Sequence, residues 1–224
     1  MARFTRIQTA LAMQEVGVIP VFYHPDPKIC FEAIKACYNG GLKVIEFTNR
    51  GEYAHEVFSE ISKRVSKELP TVILGTGSVL DAGTASLYIQ LGSNFIVSPV
   101  LKEDMAIVCN RRKILWSPGC GSVTEISKAE ELGAEIVKIF PGSQVGGPEF
   151  VKSVKGPMPW SSIMPTGGVT PDEENLRSWF DAGVTCVGMG SQLISNDIIK
   201  DQNFALLEDR ARHLSVLVKK IRKK

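Results

Sequence analysis

The chain contains 224 residues, of which 44% are hydrophobic and 22% are charged, and its formal net charge is +2. An apolar fraction of this size argues against a disordered chain, and so small a net charge provides no basic face for nucleic acid. No window approaches the roughly 18 continuous apolar residues of a membrane-spanning helix. The five cysteines are odd in number and widely spaced, which predicts a reducing cytoplasm rather than a disulfide framework or a structural zinc site.

Short, mostly apolar runs recur along the chain, and most of them end at or just before glycine, proline, serine or threonine. Such runs are typical of strands that are buried on both faces of a parallel sheet. They predict eight strands, at residues 18–22, 43–48, 71–74, 94–98, 113–117, 135–140, 162–166 and 184–189.

Between the strands, apolar residues recur at helical spacing, as with Val57, Ile61 and Val65 on one face of the segment 52–68. The same pattern predicts further helices at 27–39, 81–91, 102–110, 123–132, 148–154, 171–182 and 201–219, with an extra helix near residues 2–15.

Eight βα units account for nearly the whole chain, and this alternation favours a parallel sheet. It predicts a single (β/α)8 (TIM) barrel domain over residues 1–224, with the extra N-terminal helix covering the bottom. A doubly wound open sheet is the alternative, but it would place a glycine-rich turn after the first strand. The first strand instead continues into Tyr23, His24 and Pro25.

Lys138 lies in the apolar run Ile136-Val137-Lys138-Ile139-Phe140. Burial disfavours an ammonium group and lowers its pKa, which frees the amine as a nucleophile for Schiff-base chemistry with a carbonyl substrate. Glu46 is embedded in a similar run, and burial would move its pKa toward that of a general base. The alternative is that the two residues form a buried structural ion pair.

Arg50 follows the second strand, where its planar guanidinium suits a carboxylate, although a surface loop arginine is an equal possibility. Glycine-rich turns follow the last two strands, at Gly167-Gly168 and Gly190-Ser191. Barrels often bind phosphate with these two loops, because glycines let backbone N–H groups approach an anion. Plain turns are the alternative reading.

Two weaker candidates also lie at strand ends. Cys120 has no histidine base that the sequence reveals, and His24 is equally compatible with an ordinary loop residue. No acidic cluster has the spacing of a metal cage.

Taken together, these segments resemble the 2-keto-3-deoxy-6-phosphogluconate (KDPG) and 2-keto-4-hydroxyglutarate (KHG) aldolases. The order and spacing of the matching segments hold from about residue 10 to residue 215. The segments are VIEFTNR at 44–50, GTGSVL at 75–80, SP at 98–99, SPG at 117–119, VKIFP at 137–141 and PTGGV at 165–169.

The resemblance implies a class I, Schiff-base aldolase on a homotrimeric (β/α)8 barrel with no metal and no cofactor. Its substrates would be a 2-keto acid and a phosphorylated aldehyde. Such an enzyme cleaves KDPG to pyruvate and D-glyceraldehyde 3-phosphate, and in some members 4-hydroxy-2-oxoglutarate to pyruvate and glyoxylate. By analogy, the Schiff-base lysine is Lys138, the acid/base is Glu46, the substrate-binding residues are Arg50, Ser78 and Thr166, and the phosphate-binding residues are Gly167, Gly168, Gly190 and Ser191.

The chain departs from the family pattern in three loops. Ser78 stands where a threonine is usual, Ser122 replaces another threonine, and the segment 141–147 reads PGSQVGG where many members have Ala-Glu. These loops bear on substrate preference more than on the reaction.

Three other functions remain open from the sequence. One is the epimeric 2-keto-3-deoxy-6-phosphogalactonate aldolase, which only a comparison of the C4 epimers separates. Another is a phosphosugar isomerase or epimerase, which would form no imine. The third is a barrel that binds phosphorylated acids without turnover, with Lys138 and Glu46 as a static ion pair.

Overall fold

A computed structural model describes residues 2–223 of the chain. Its strands are short and buried along their whole length, as expected for a sheet covered on both faces. They lie at Val18–Phe22 (β1), Val44–Thr48 (β2), Ile73–Gly77 (β3), Phe95–Val97 (β4), Leu115–Ser117 (β5), Gly119–Cys120 (β6), Val137–Ile139 (β7), Ile163–Pro165 (β8) and Val187–Met189 (β9).

Helices alternate with the strands, and each buries one apolar face against them. They lie at Arg6–Val16 (α1), Pro27–Asn39 (α2), Ala54–Glu68 (α3), Ala82–Gln90 (α4), Glu103–Arg112 (α5), Val123–Glu131 (α6), Gly147–Lys155 (α7), Glu173–Asp181 (α8), Asn196–Lys200 (α9) and Phe204–Arg222 (α10). No helix within residues 2–223 is long and apolar enough to cross a bilayer.

The strands form two sheets in which every pairing is parallel. A curled six-stranded sheet has the order β5-β4-β3-β2-β1-β9, and a three-stranded sheet has the order β6-β7-β8. Pro118 separates β5 from β6, and proline has no N–H to continue a ladder. Between β8 and β9, Thr185 N–H donates to the Ile163 carbonyl at 2.8 Å, and Thr166 bridges to Gly188. The predicted α/β class with a parallel sheet is therefore confirmed.

The parallel register fixes which residues meet at each strand end. Glu46 lies opposite Val21 on β1 and Gly75 on β3. Lys138 lies opposite Gly119 on β6 and Met164 on β8. Because parallel strands all end at the same edge of a sheet, the loops that follow them converge there.

The predicted N-terminal helix is present and covers the amino-terminal edge of the strands. Thr5 begins α1 with a capping box, in which its side chain accepts from Gln8 N–H and Gln8 reaches back to the Thr5 backbone. Just before it, the Arg3 guanidinium donates to the carbonyls of Pro70 and Val72, ahead of β3, at 3.1 and 3.0 Å. Arg6 contacts the Gly133 carbonyl and the Glu135 carboxylate, ahead of β7.

The structure differs from the predicted elements at three places. The third strand runs later, over Ile73–Gly77, because its two glycines hide a strand whose five residues all pair with β2. Gly119–Cys120 pairs with β7 instead of being loop. Asn196–Lys200 is a separate helix, and Asn203 caps α10 by accepting from Leu206 N–H at 3.1 Å.

Candidate active site

Glu46 lies on β2 with its side chain inside the sheet, where only 1% of the residue is exposed. Both carboxylate oxygens are buried and have no hydrogen-bond partner within the described residues. A buried carboxylate without partners is costly, so this group is held for a purpose other than stability.

The Glu46 carboxylate lies directly against the backbone of Gly77 at the end of β3. A Cβ atom at position 77 would stand 1.8 Å from Glu46 Oε1. No side chain at position 77 can occupy that space, so Gly77 leaves the room that the Glu46 carboxylate fills.

Lys138 is the second buried charge at this edge, with 4% of the residue exposed. Its backbone N–H donates to the Pro118 carbonyl at 3.0 Å, which holds it in the ladder between β6 and β8. Its Nζ lies 4.9 Å from the centroid of the Phe140 ring. Within residues 2–223 neither Glu46 oxygen has a hydrogen-bond partner, so the static ion pair considered from the sequence is not favoured.

Burial moves the pKa values of these two groups toward each other. Desolvation raises the pKa of the Glu46 carboxyl, an effect that the charges of Lys138 and Arg50 oppose. Desolvation lowers the pKa of the Lys138 amine, which Arg50 lowers further while Glu46 opposes the shift. A larger fraction of Lys138 is therefore the neutral, nucleophilic amine, and Glu46 is better able to hold and release a proton.

Other polar atoms at the same edge also lack protein partners. Thr166 Oγ1, just past β8, and Ser117 Oγ, at the end of β5, are buried without hydrogen bonds within the described residues. Buried hydroxyl groups normally have a hydrogen-bond partner, so these two are suited to bind the polar groups of a ligand at this edge of the sheets.

Arg50 is positioned by the loop that follows β2. Its Nε donates to Ser78 Oγ at 3.1 Å, and Asn49 N–H donates to the Gly77 carbonyl at 2.8 Å. Ser78 itself has φ +59°, in the left-handed region, so the turn after β3 aims this hydroxyl at the guanidinium. The remaining N–H groups of Arg50 suit a carboxylate in the bidentate manner.

A cleft of about 690 Å³ opens above these residues at the carboxyl ends of the strands. Six of the predicted site residues line it: Arg50, Thr166, Gly167, Gly168, Gly190 and Ser191. Lys138 and Glu46 are not on its wall; Phe140, whose ring lies beside Lys138 Nζ, lines the cleft above them. Ser78 does not line the cleft, but its hydroxyl accepts a hydrogen bond from Arg50, which does.

The loop after β8 presents backbone groups to this cleft. Gly167 and Gly168 have φ values of +93° and +80°, which glycine adopts without steric cost. Asn175 holds the loop by accepting from Thr170 N–H at 2.9 Å and donating to the Gly168 carbonyl at 3.2 Å. A loop fixed in this way has its N–H groups set for an anion.

Several polar residues of the cleft were not among the site residues predicted from the sequence. Gln192, Asn196 and Lys200 come from the loop after β9 and from α9, a helix that no sequence pattern revealed. His24 follows β1, and its position at a strand end was the available signal. Cys120, in contrast, is buried, and burial raises the pKa of its thiol to about 12, which removes it as a nucleophile.

Comparison with known proteins agrees with this geometry. The chain is 30% identical over 196 residues to the 2-dehydro-3-deoxy-phosphogluconate aldolase of Pseudoalteromonas atlantica, covering 87% of this chain and 88% of that protein. It is 35% identical over 122 residues to the 2-dehydro-3-deoxy-6-phosphogalactonate aldolase of Escherichia coli, covering 54% and 58%.

The fold is similar to that of the KDPG aldolase of Legionella pneumophila, with a TM-score of 0.84 and 25% identity, covering 92% of this chain and 98% of that one. In that crystal structure, pyruvate is captured at low pH as a covalent carbinolamine intermediate. The model of the KDPG and KHG aldolase family matches residues 10–209. The chain therefore belongs to the family of KDPG and KHG aldolases.

Proposed function

We propose that this chain is a class I aldolase that cleaves KDPG to pyruvate and D-glyceraldehyde 3-phosphate, and that it also accepts 4-hydroxy-2-oxoglutarate. The observation that carries the proposal is a buried amine, Lys138, with a lowered pKa, together with a buried carboxylate, Glu46, that has no hydrogen-bond partner among the described residues. The pyruvate carbinolamine in the Legionella relative supports the same chemistry.

The first step is the attack of Lys138 Nζ on the C2 ketone of the substrate. The resulting carbinolamine loses water and becomes a protonated imine, which withdraws electrons from the C3–C4 bond. Because burial lowers the pKa of Lys138, a larger fraction of the amine is unprotonated and able to attack than for an exposed lysine.

Glu46 then takes the proton of the C4 hydroxyl, directly or through a water molecule. The C3–C4 bond breaks, its electron pair forms an enamine with the imine, and the aldehyde leaves. Glu46 returns the proton to C3 of the enamine, and water hydrolyses the pyruvate imine to free Lys138. One carboxyl group serves both proton transfers because its raised pKa lets it hold and release a proton.

The cleft residues position the substrate for these steps. Arg50, held by Ser78, binds the carboxylate so that the ketone faces Lys138. Thr166 lines the same part of the cleft, and the backbone N–H groups at Gly167, Gly168, Gly190 and Ser191 bind the phosphate. No metal or cofactor is needed for this sequence of steps.

We also propose that the two sheets close into one eight-stranded barrel that forms a single domain over residues 1–224. Counting β5 and β6 as one strand interrupted by Pro118 gives eight strands. The contacts of Thr185 with Ile163 and of Thr166 with Gly188 support closure between β8 and β9.

A homotrimer in the cytoplasm is the assembly and location that we propose. Four exposed apolar side chains, Leu80, Leu87, Val100 and Ile107, lie on α4, α5 and the loops before them, and we propose that a partner subunit covers them. All five cysteines are free thiols, which suits a reducing compartment. Light scattering during size-exclusion chromatography tests the trimer.

The epimeric substrate 2-keto-3-deoxy-6-phosphogalactonate is the second candidate, supported by the 35% identity to the aldolase named for it. The ratio of kcat/KM for the two C4 epimers separates these substrates.

Borohydride reduction in the presence of pyruvate, followed by peptide mass mapping, tests the proposed reaction. A reduced pyruvate adduct on Lys138 is expected, and it is incompatible with an isomerase or a binding protein. The matched control is Lys138→Arg, which keeps the charge but removes the nucleophile. An unmodified, folded and pyruvate-saturated chain would contradict the proposal.

A further inference from the structure

His24 lies two residues after the end of β1 and lines the cleft between two functional loops. It follows β1, which pairs with β2, the strand that leads to Arg50, and with β9, the strand that leads to Gly190 and Ser191. Its side chain therefore stands between the proposed carboxylate end of the cleft and the proposed phosphate end.

The hydrogen bonds around His24 determine which ring nitrogen carries its proton. Nδ1 accepts from Asp26 N–H at 3.0 Å, so the proton is on Nε2. Asp26 in turn caps α2 by accepting from Lys28 N–H at 2.7 Å, and Cys30 Sγ donates to the His24 carbonyl at 3.1 Å. The imidazole is thus oriented by the start of α2, and within residues 2–223 its Nε2–H donates to no protein group.

Lys200 supplies a second donor to the same cleft. It is the last residue of α9 and is exposed, and no described residue forms an ion pair with it. The cleft lining contains no aspartate or glutamate within the described part of the chain. Arg50 and Lys200 are its two side chains with a permanent positive charge, which suits a substrate with two separated anionic groups.

We infer that His24 and Lys200 are specificity-determining residues that select substrates whose aldehyde half carries a phosphomonoester. This inference rests on the proposed aldolase function. The two glycine loops offer backbone N–H groups and the Ser191 hydroxyl, and a phosphate dianion can accept further hydrogen bonds from charged or directional donors. We infer that His24 Nε2–H donates a hydrogen bond to the phosphate and that the ammonium group of Lys200, on a flexible side chain, attracts its negative charge.

The test compares KDPG with its unphosphorylated analogue, 2-keto-3-deoxygluconate, by kcat/KM. His24→Asn keeps an acceptor near the position of Nδ1, and so the contact to Asp26, but removes the distal donor. His24→Gln places an amide N–H near the position of Nε2. Lys200→Met and Lys200→Arg form a second matched pair, which removes or keeps the charge.

We expect His24→Asn to lower kcat/KM for KDPG about ten- to hundredfold, as for a lost hydrogen bond to a charged group, with less than about a threefold change for the unphosphorylated analogue. His24→Gln should recover most of the loss. Lys200→Met should cost about three- to tenfold on KDPG alone, because an exposed charge contributes less, and Lys200→Arg should cost little.

Borohydride trapping with pyruvate separates failure of this inference from failure of the aldolase proposal, because pyruvate has no distal group. If the wild type traps no pyruvate, the proposed function is wrong and the inference with it. If pyruvate is trapped normally but His24→Asn and Lys200→Met leave the preference for the phosphorylated substrate unchanged, only the inference is overturned. An equal loss on both substrates would likewise overturn it.

Discussion

Two buried polar side chains at opposite ends of the strands, Asn94 and Glu46, differ in whether their hydrogen-bonding groups have partners. At the amino-terminal end, Asn94 is buried, and both the oxygen and the nitrogen of its side-chain amide are hydrogen-bonded. Its Oδ1 accepts from the N–H groups of Arg3 and Phe4 at 2.8 and 3.1 Å, and its Nδ2 donates to the Leu74 carbonyl at 2.8 Å. At the carboxyl end, Glu46 is equally buried and neither oxygen has a partner within the described residues. Asn94 therefore contributes to stability, whereas the unsatisfied carboxylate of Glu46 is available to a ligand.

The sharpest way to test this contrast is to remove the amine at the carboxyl end. Lys138→Met should lower aldol cleavage by on the order of 10⁴-fold, because no other nucleophile replaces it. The melting temperature should stay the same or rise, since the substitution removes an amine that burial desolvates. Steady-state kinetics and thermal unfolding on the same preparation check both statements. A large loss of stability would show that Lys138 has a structural role.

Gly77→Ala should displace the Glu46 carboxylate without replacing any charged side chain. The added Cβ would lie 1.8 Å from Oε1, so the carboxylate must move, and we expect kcat to fall about a hundredfold, the usual cost of a misplaced acid/base. The matched control is Gly156→Ala, where the nearest atom would be 3.5 Å away. Equal kinetics for the two variants would contradict the role of Gly77.

Asn94→Ala should show the reverse pattern at the amino-terminal end. It leaves the buried N–H groups of Arg3 and Phe4 without their acceptor, which should lower the free energy of unfolding by about 2–3 kcal/mol. Activity per folded molecule should not change at a temperature well below the melting point. As a control, Asn39→Ala, which loses one exposed bond to Glu208, should cost less than about 0.5 kcal/mol. Urea unfolding measures both.

Glu46→Gln should change how stability depends on pH. The folded pKa of Glu46 is raised above its ordinary value of 4.5, so the wild type binds more protons when folded and loses stability as pH rises from 4.5 through the raised pKa. The glutamine variant does not titrate. Its melting temperature should therefore exceed that of the wild type near pH 7, and the gap should shrink toward pH 4. A gap that is constant with pH would contradict the raised pKa.

The smallest expected effect concerns the hydroxyl that positions Arg50. Ser78→Ala removes the acceptor 3.1 Å from Arg50 Nε, which should raise the KM for pyruvate in the synthesis direction about two- to fivefold with little change in kcat. Ser66→Ala, which removes an exposed hydroxyl bond on α3, serves as the control. An unchanged KM would place carboxylate recognition elsewhere in the cleft.

Much of the architecture and the central pair of the site follow from local patterns in the sequence. The apolar runs predicted β1 and α2 to the residue, and the polar interruptions at Glu46 and Lys138 identified the two buried charges. Periodicity failed where tertiary contacts override propensity: the glycines of β3 disguise a fully paired strand, and α9, of five residues, is too short for any helical period.

The sequence alone determined the alternation of strands and helices, and the presence of a lysine and a glutamate within apolar runs, because burial patterns and residue types are local properties. Only the tertiary structure decided that the Glu46 carboxylate has no hydrogen-bond partner within residues 2–223, that Gly77 makes room for it, and that His24 and Lys200 line one cleft with Arg50. These facts depend on register and on loops brought together from strands far apart in the chain, and no local pattern encodes such distances.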